Sequence, residues 1–158
     1  MGKELKTNAM RILEQKKIPF RINLYECDEF IDGLHIAKQL EQDPECSFKS
    51  LIAKGKSGEH YVFALPVAEE LDLKKAARAV GEKSVELIAV KELFPLTGYV
   101  RGGCTAIGLK KPFDAVFDET AILFDEIIIS GGRIGAQIIL NPLDLPKVIT
   151  CKFKDITI

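Results

Sequence analysis

Short β-like runs, broken by helical stretches without a strict βαβ rhythm, set the first limit on what this chain can fold into. Residues 20–25 alternate as a half-buried strand does, with Phe20, Ile22 and Leu24 on one side and Arg21 and Asn23 on the other. Residues 47–53 and 60–65 read as the arms of a hairpin closed by Gly55-Lys56-Ser57-Gly58. Further runs lie at 85–88, 115–117, 127–130, 137–140 and 152–156. Thr7 is placed to cap a helix carrying Met10 and Leu13, which Ile18-Pro19 ends. Asp32 caps a short helix through Leu34, Ala37 and Leu40, and Asp43-Pro44 then turns the chain. Residues 73–80 form the clearest amphipathic helix, with Gly81 as its stop. Residues 90–94 predict a short helix closed by Pro95, and Asn141-Pro142 opens a last one. Strands outnumber helices. The expectation is therefore an α+β fold, one domain over residues 1–158, with a mixed sheet or barrel-like core surrounded by helices.

Charge narrows the partners. The 158 residues carry 22 basic and 23 acidic side chains, a formal net charge of -1. No global field favours nucleic acid, so any RNA contact must come from a local patch. No apolar run approaches the roughly 20 residues that span a bilayer. The start, Met1-Gly2-Lys3-Glu4-Leu5-Lys6, has neither the apolar segment nor the cleavage site of a secretory signal. Lys6 stands where a myristoylation motif needs Ser or Thr. The cysteines (27, 46, 104 and 151) include no C-x-x-C pair, so neither a zinc site nor a disulfide framework is indicated. Free thiols in the cytoplasm, with no metal and no cofactor, are expected.

The chemistry-bearing stretch is Gly98-Tyr99-Val100-Arg101-Gly102-Gly103-Cys104-Thr105-Ala106-Ile107-Gly108-Leu109-Lys110-Lys111. It sets four glycines and three basic side chains in fourteen residues with no acid. Glycines let backbone N–H groups approach a ligand, and the cations favour an anion or a developing negative charge. A tight turn serving backbone geometry alone fits the same residues. Gly103-x-x-x-x-Gly108 has Walker A spacing, but Leu109 replaces the lysine that motif requires. Lys49 lies in an apolar strand, on the side of Leu51 and Ala53. Two arrangements fit it: a cation at a pocket floor, or a lysine snorkelling from a strand edge. Ser130-Gly131-Gly132-Arg133 is a second glycine pair at a strand end, most simply a bend. Cys104 has a suggestive setting, yet neither His35 nor His60 lies in a segment that points toward it, and a bystander role fits.

In chain order, Lys17-Ile18-Pro19-Phe20, Tyr25, Ser47-Phe48-Lys49-Ser50-Leu51, Leu73-Lys74-Lys75-Ala76-Ala77, Thr97-Gly98-Tyr99, Gly102-Gly103 and Ser130-Gly131-Gly132 resemble the YbaK family. Its members are freestanding aminoacyl-tRNA deacylases related to the editing domain inserted in bacterial prolyl-tRNA synthetase. The resemblance implies trans-editing hydrolysis of the ester on mischarged tRNA(Pro), with Cys-tRNA(Pro) as substrate. It implies the acceptor end of tRNA(Pro) as partner, with prolyl-tRNA synthetase as a further one, and neither membrane nor DNA. By this similarity Lys49 and Gly102 are the catalytic residues: Lys49 holds the terminal adenosine or its phosphate, and the Gly102 backbone polarises the ester. Tyr25, Ser50, Gly103 and Ser130 match substrate-binding positions. Cysteine's own thiol can attack the carbonyl, whereas alanine would need a water.

Three positions depart from the family. Ala106 stands where the family's G-x-x-x-P loop ends in proline, Ser50 where many relatives have threonine, and Ala136-Gln137 where some carry a polar or acidic residue. The first and third bear on which amino acid is removed. Ala-tRNA(Pro) deacylation by water, a non-catalytic tRNA- or synthetase-binding module, and a nucleotide-binding protein are the competing readings.

Overall fold

The computed structural model of the chain describes residues 6–27 and 29–158. Residues 1–5, read above for targeting signals, lie outside the described residues. Helix α1 (Asn8–Gln15) begins where Thr7 Oγ1 accepts from the Met10 N–H at 3.2 Å. It buries Ala9, Met10 and Leu13 and stops before Ile18. After β1 (Phe20–Leu24), helix α2 (Gly33–Gln39) is capped by Asp32, which accepts from the His35 N–H at 3.0 Å. Strands β2 (Phe48–Gly55) and β3 (His60–Pro66) form the expected hairpin. Helix α3 (Leu73–Val80) ends at Gly81 in the left-handed conformation, at φ 73°.

The remaining elements are β4 (Val85–Leu87), α4 (Val90–Thr97), β5 (Asp114–Asp118), β6 (Ile127–Ser130), β7 (Ala136–Leu140) and β8 (Cys151–Lys154). They complete two sheets, one of five strands in the order β4-β2-β3-β5-β8 and one of three in the order β1-β7-β6. The larger sheet is mixed: β3–β5 and β5–β8 run parallel, the other pairs antiparallel. One face of it, with Phe48, Ile52, Val62, Ala64, Ala115 and Phe117, packs on Ile127, Ile129, Ile138 and Leu140 of the smaller sheet. Its opposite face buries Phe63, Leu65 and Val116 beneath Ala76 and Ala77 of α3. Burial of these two faces drives the layering, at about 25 cal/mol for each Å² of apolar surface removed from water.

The barrel-like core expected from sequence is not a closed barrel. The two sheets touch through the parallel bridge Ser47–Ile128, where the Ile128 N–H donates to the Cys46 carbonyl at 2.8 Å. Strands β1 and β8 end their sheets, so the hydrogen-bonded wall never closes. Position at an edge also explains why Ile22 and Leu24 of β1 are 42% and 46% exposed despite their apolar alternation.

Two further differences concern helices. Pro95 sits inside α4 rather than closing it. The bond that Pro95 cannot donate would fall to Lys91, an exposed residue whose carbonyl water can serve, and Gly98 ends the helix at φ 82°. The helix opened by Asn141-Pro142 is a 3-10 helix (Pro142–Lys147), and a second one (Glu119–Leu123) has no counterpart in the sequence reading.

Candidate active site

A cavity of about 330 Å³ opens where the start of β2 leaves the cover of β4. Strand β4 pairs with Ala53 to Gly55 alone and Ser47 is bridged to Ile128, so residues 48–51 between them have no paired strand on that side and line the cavity along both of their faces. Lys49 and Ser50 come from this strand, Tyr25 from just after β1, Gly102 from the glycine-rich segment, and Ser130 from the end of β6. Apolar wall is supplied by Phe48, Ile129, Cys104 and Val67. Tyr25, Lys49, Ser50, Gly102 and Ser130 thus share one cavity, although up to about a hundred residues separate them in the chain.

Gly103 does not line the cavity. It is buried behind it, where a Cβ would stand 2.8 Å from Arg133 Cα. The two glycine segments, unrelated in sequence, therefore pack back to back. Gly102 at φ 87° turns outward, and a Cβ on it would press Phe30 at 3.1 Å and Ile134 at 3.3 Å. The turn is closed by the Gly103 N–H on the Val100 carbonyl at 2.9 Å, while the Gly102 N–H has no backbone acceptor among the described residues.

The glycine-rich segment is held rather than loose. At its base the Lys110 N–H donates to the Thr97 carbonyl at 2.9 Å, and the buried Tyr99 hydroxyl donates to the Ile107 carbonyl at 2.5 Å. Thr105, Ala106 and Ile107 are buried, so its middle belongs to the core. The second segment is braced by α1, whose cap Thr7 donates its hydroxyl to the Gly131 carbonyl at 2.6 Å. One side chain thus caps a helix and pins a loop of the site.

Electrostatics suit a ligand that carries negative charge. Burial pushes the Lys49 pKa down, against smaller opposing pulls from Glu70, Asp32 and Glu69. Among the described residues no carboxylate forms an ion pair with it. Burial likewise raises the Tyr25 hydroxyl, and it pushes the Cys104 thiol up to about 12. Cys104 is therefore protonated near neutral pH and is no nucleophile, although it lines the cavity. At the rim the Arg101 guanidinium lies 4.0 Å from the centre of the Phe30 ring. Ser130 Oγ accepts from the Gly132 N–H at 3.2 Å, which leaves its own proton to donate. Among the described residues no group of three or more His, Cys, Asp and Glu could hold a metal ion.

Sequence reading singled out Gln137 as a departure from the family but missed the polar end wall it builds with Gln42. Gln42 Nε2 donates to Gln137 Oε1 at 2.7 Å, Gln137 Nε2 returns a bond to Gln42 Oε1 at 3.0 Å, and Asn23 Nδ2 adds a third at 3.0 Å. The two glutamines lie 95 residues apart, and no local pattern announces their pairing. Phe30 and Ile31 were missed as well, because residues between β1 and α2 carry no periodicity.

The sequence pattern of the family described as "Aminoacyl-tRNA editing domain" matches residues 34–148. A curated relative from Enterococcus faecalis, named "Putative Cys-tRNA(Pro)/Cys-tRNA(Cys) deacylase EbsC", is 39% identical over 153 residues, 96% of this chain and 93% of its own. A solved structure described as "a putative trans-editing enzyme for prolyl tRNA synthetase" superposes with a TM-score of 0.82 at 25% identity, over 98% of this chain and 99% of that one. The fold alone is shared with the hypothetical protein APE2540, with a TM-score of 0.85 at 19% identity over 96% of this chain. The chain belongs to the aminoacyl-tRNA editing domain family and is an aminoacyl-tRNA deacylase, with aminoacyl-tRNA as its substrate.

Proposed function

We propose that the enzyme removes cysteine from mischarged tRNA(Pro), taking the 3′ acceptor end into the cavity and clearing errors of prolyl-tRNA synthetase. The observation that carries this reading is the convergence of Tyr25, Lys49, Ser50, Gly102 and Ser130 on one small cavity. The name of the 39% identical relative supports cysteine: it pairs that one amino acid with two different tRNAs. On that pattern the cavity reads the aminoacyl group, and the RNA beyond it is held elsewhere.

In this reading the Lys49 ammonium holds the terminal adenosine or its phosphate. The Gly102 N–H donates to the ester carbonyl oxygen, where charge develops. Gly103 allows the close loop packing that sets the direction of that amide. Tyr25, Ser50 and Ser130 line the cavity and orient the ester. The substrate's sulfur attacks its own carbonyl carbon, so a C–S bond forms as the C–O ester bond breaks. The thiol proton passes to the departing ribose oxygen. The products are tRNA with a free terminal hydroxyl and a four-membered thiolactone, which water opens to cysteine. This route needs positioning more than a protein base, and it suits a cavity whose own thiol stays protonated.

Single-turnover deacylation of cysteinyl- and alanyl-tRNA(Pro) tests the proposal. Wild type should release cysteine, and Lys49→Ala should slow that release about 100-fold or more, the scale of losing one oriented electrostatic group. Preferential release of alanine would replace the amino acid in this reading. Equal rates for Lys49→Ala and wild type would remove Lys49 from the mechanism.

A further inference from the structure

A second concave surface lies on the larger sheet, away from the cavity. It is a groove of about 610 Å³ between α3 and β8, lined by Lys75, Arg78, Lys152 and Lys154, with Asp155 as the one acid. Lys75 is already engaged: its Nζ lies 2.9 Å from Asp155 Oδ2 and donates to the Thr157 carbonyl at 2.8 Å. Arg78, Lys152 and Lys154 are exposed, and none of them forms an ion pair among the described residues. In a chain of net charge -1 this is a local surplus of positive charge.

Register places the groove on the same face of the sheet as Lys49. Lys152 opposes Val116, which opposes Phe63, which opposes Leu51. Directly opposed residues share a face, and so do residues two apart on a strand, so Lys154 and Lys49 lie on that face as well. Three strand spacings separate β2 from β8, about 14 Å. The groove contains no aromatic side chain, and its remaining lining is Ala79, Val80 and Gly81. It therefore offers no aromatic face on which bases could stack, and Arg78 is its one fork of donors. Lys152 and Lys154 instead stand about 7 Å apart along β8 as a row of point charges.

We propose that this groove binds the phosphate backbone of the tRNA outside the cavity, without reading its sequence. The inference rests on tRNA being the substrate, and it does not depend on which amino acid is removed. The cavity engages the 3′ end, while the groove supplies the salt-dependent hold on the body of the molecule that a near-neutral protein otherwise lacks.

The test uses the full chain with Lys152→Glu/Lys154→Glu, and with Lys152→Gln/Lys154→Gln in case charge reversal disturbs β8. Binding of uncharged tRNA is measured over a range of KCl, a readout that needs no catalysis. Deacylation is measured on full-length aminoacyl-tRNA and on an aminoacylated CCA trinucleotide. Both variants should weaken tRNA binding, the reversal about tenfold or more, and lower the salt slope by about one to two. Both should leave turnover of the trinucleotide unchanged. Unaltered affinity and slope in both variants would overturn the proposal and leave the lysines as guards of an open sheet edge. Equal losses on trinucleotide and full-length substrate would overturn it too. Failure of the cysteine assignment would appear instead as a trinucleotide that wild type itself does not turn over when charged with cysteine.

Discussion

Lys49 lines the cavity at a cost in stability. Its ammonium is half-buried without an ion-pair partner among the described residues, and burial holds its pKa below the ordinary lysine value of 10.5. The folded protein therefore binds this proton less tightly than the unfolded chain does, and the charged form destabilises the fold. That penalty is fully present below the folded pKa and is relieved as pH rises through it toward 10.5. Lys49→Met removes the charge and keeps much of the stem. It should unfold at or above the wild-type temperature at pH 7, with the difference shrinking as pH rises, while deacylation is lost. A variant less stable than wild type at every pH would show that Lys49 is held by a favourable partner. Cys104, in the same cavity, shows that burial penalises whichever form is charged: it disfavours the lysine cation and keeps the thiol protonated.

Among the elements, the paired glycine segments border the cavity, and the glycines of this chain do different work. Gly103 has no left-handed φ; it is glycine because Arg133 backbone lies where its Cβ would go. Gly58, in the β2–β3 hairpin, is the converse: φ is 97° and nothing stands within 4 Å of a Cβ. Gly103→Ala should therefore force the two segments apart, costing about 1–3 kcal/mol as overpacking does, and should lower activity with stability. Gly58→Ala should cost about 1–2 kcal/mol of backbone strain and leave deacylation of the folded enzyme unchanged. Urea denaturation and single-turnover rates on the two variants separate these outcomes. Equal activity in both would mean that the packing of the segments does not set the Gly102 geometry.

At the scale of the whole molecule, the far end of the larger sheet is tied by one buried acid. Asp118, 1% exposed, accepts from the Ile156 N–H at 3.0 Å through Oδ1 and from the Thr120 hydroxyl at 2.7 Å through Oδ2. It thereby joins β5, the 3-10 helix after it and the segment that follows β8. That segment is also stitched to the start of α3, where the Asp72 N–H donates to the Ile156 carbonyl at 2.8 Å and the Ile158 N–H to the Glu70 carbonyl at 3.0 Å. Asp118→Ala strands a buried N–H and frees this corner, so it should lower stability by about 2–4 kcal/mol. Because Lys152 and Lys154 lie on the strand that Asp118 helps to hold, tRNA affinity should fall with it. Thermal unfolding and tRNA binding of the one variant check both.

What lies close in the chain was legible from sequence. The caps at Thr7, Asp32 and Asn141, the hairpin at residues 55–58 and the stop at Gly81 depend on neighbours a few residues away, and local side-chain and backbone preferences decide them. The candidate residues Tyr25, Lys49, Ser50, Gly102 and Ser130 were legible as residue types in motifs. Pro95 within α4 was not, because whether a lost hydrogen bond matters depends on the exposure of Lys91 four residues back. The open two-sheet arrangement, the Gln42–Gln137 wall, the contact of Gly103 with Arg133 and the common face of Lys49 and Lys152 were also out of reach. Each of these joins residues far apart in the chain, and what joins them is strand register and core packing rather than any local preference. The chain determined its elements and its reactive groups by itself; only the burial of two sheet faces brought those groups to one cavity.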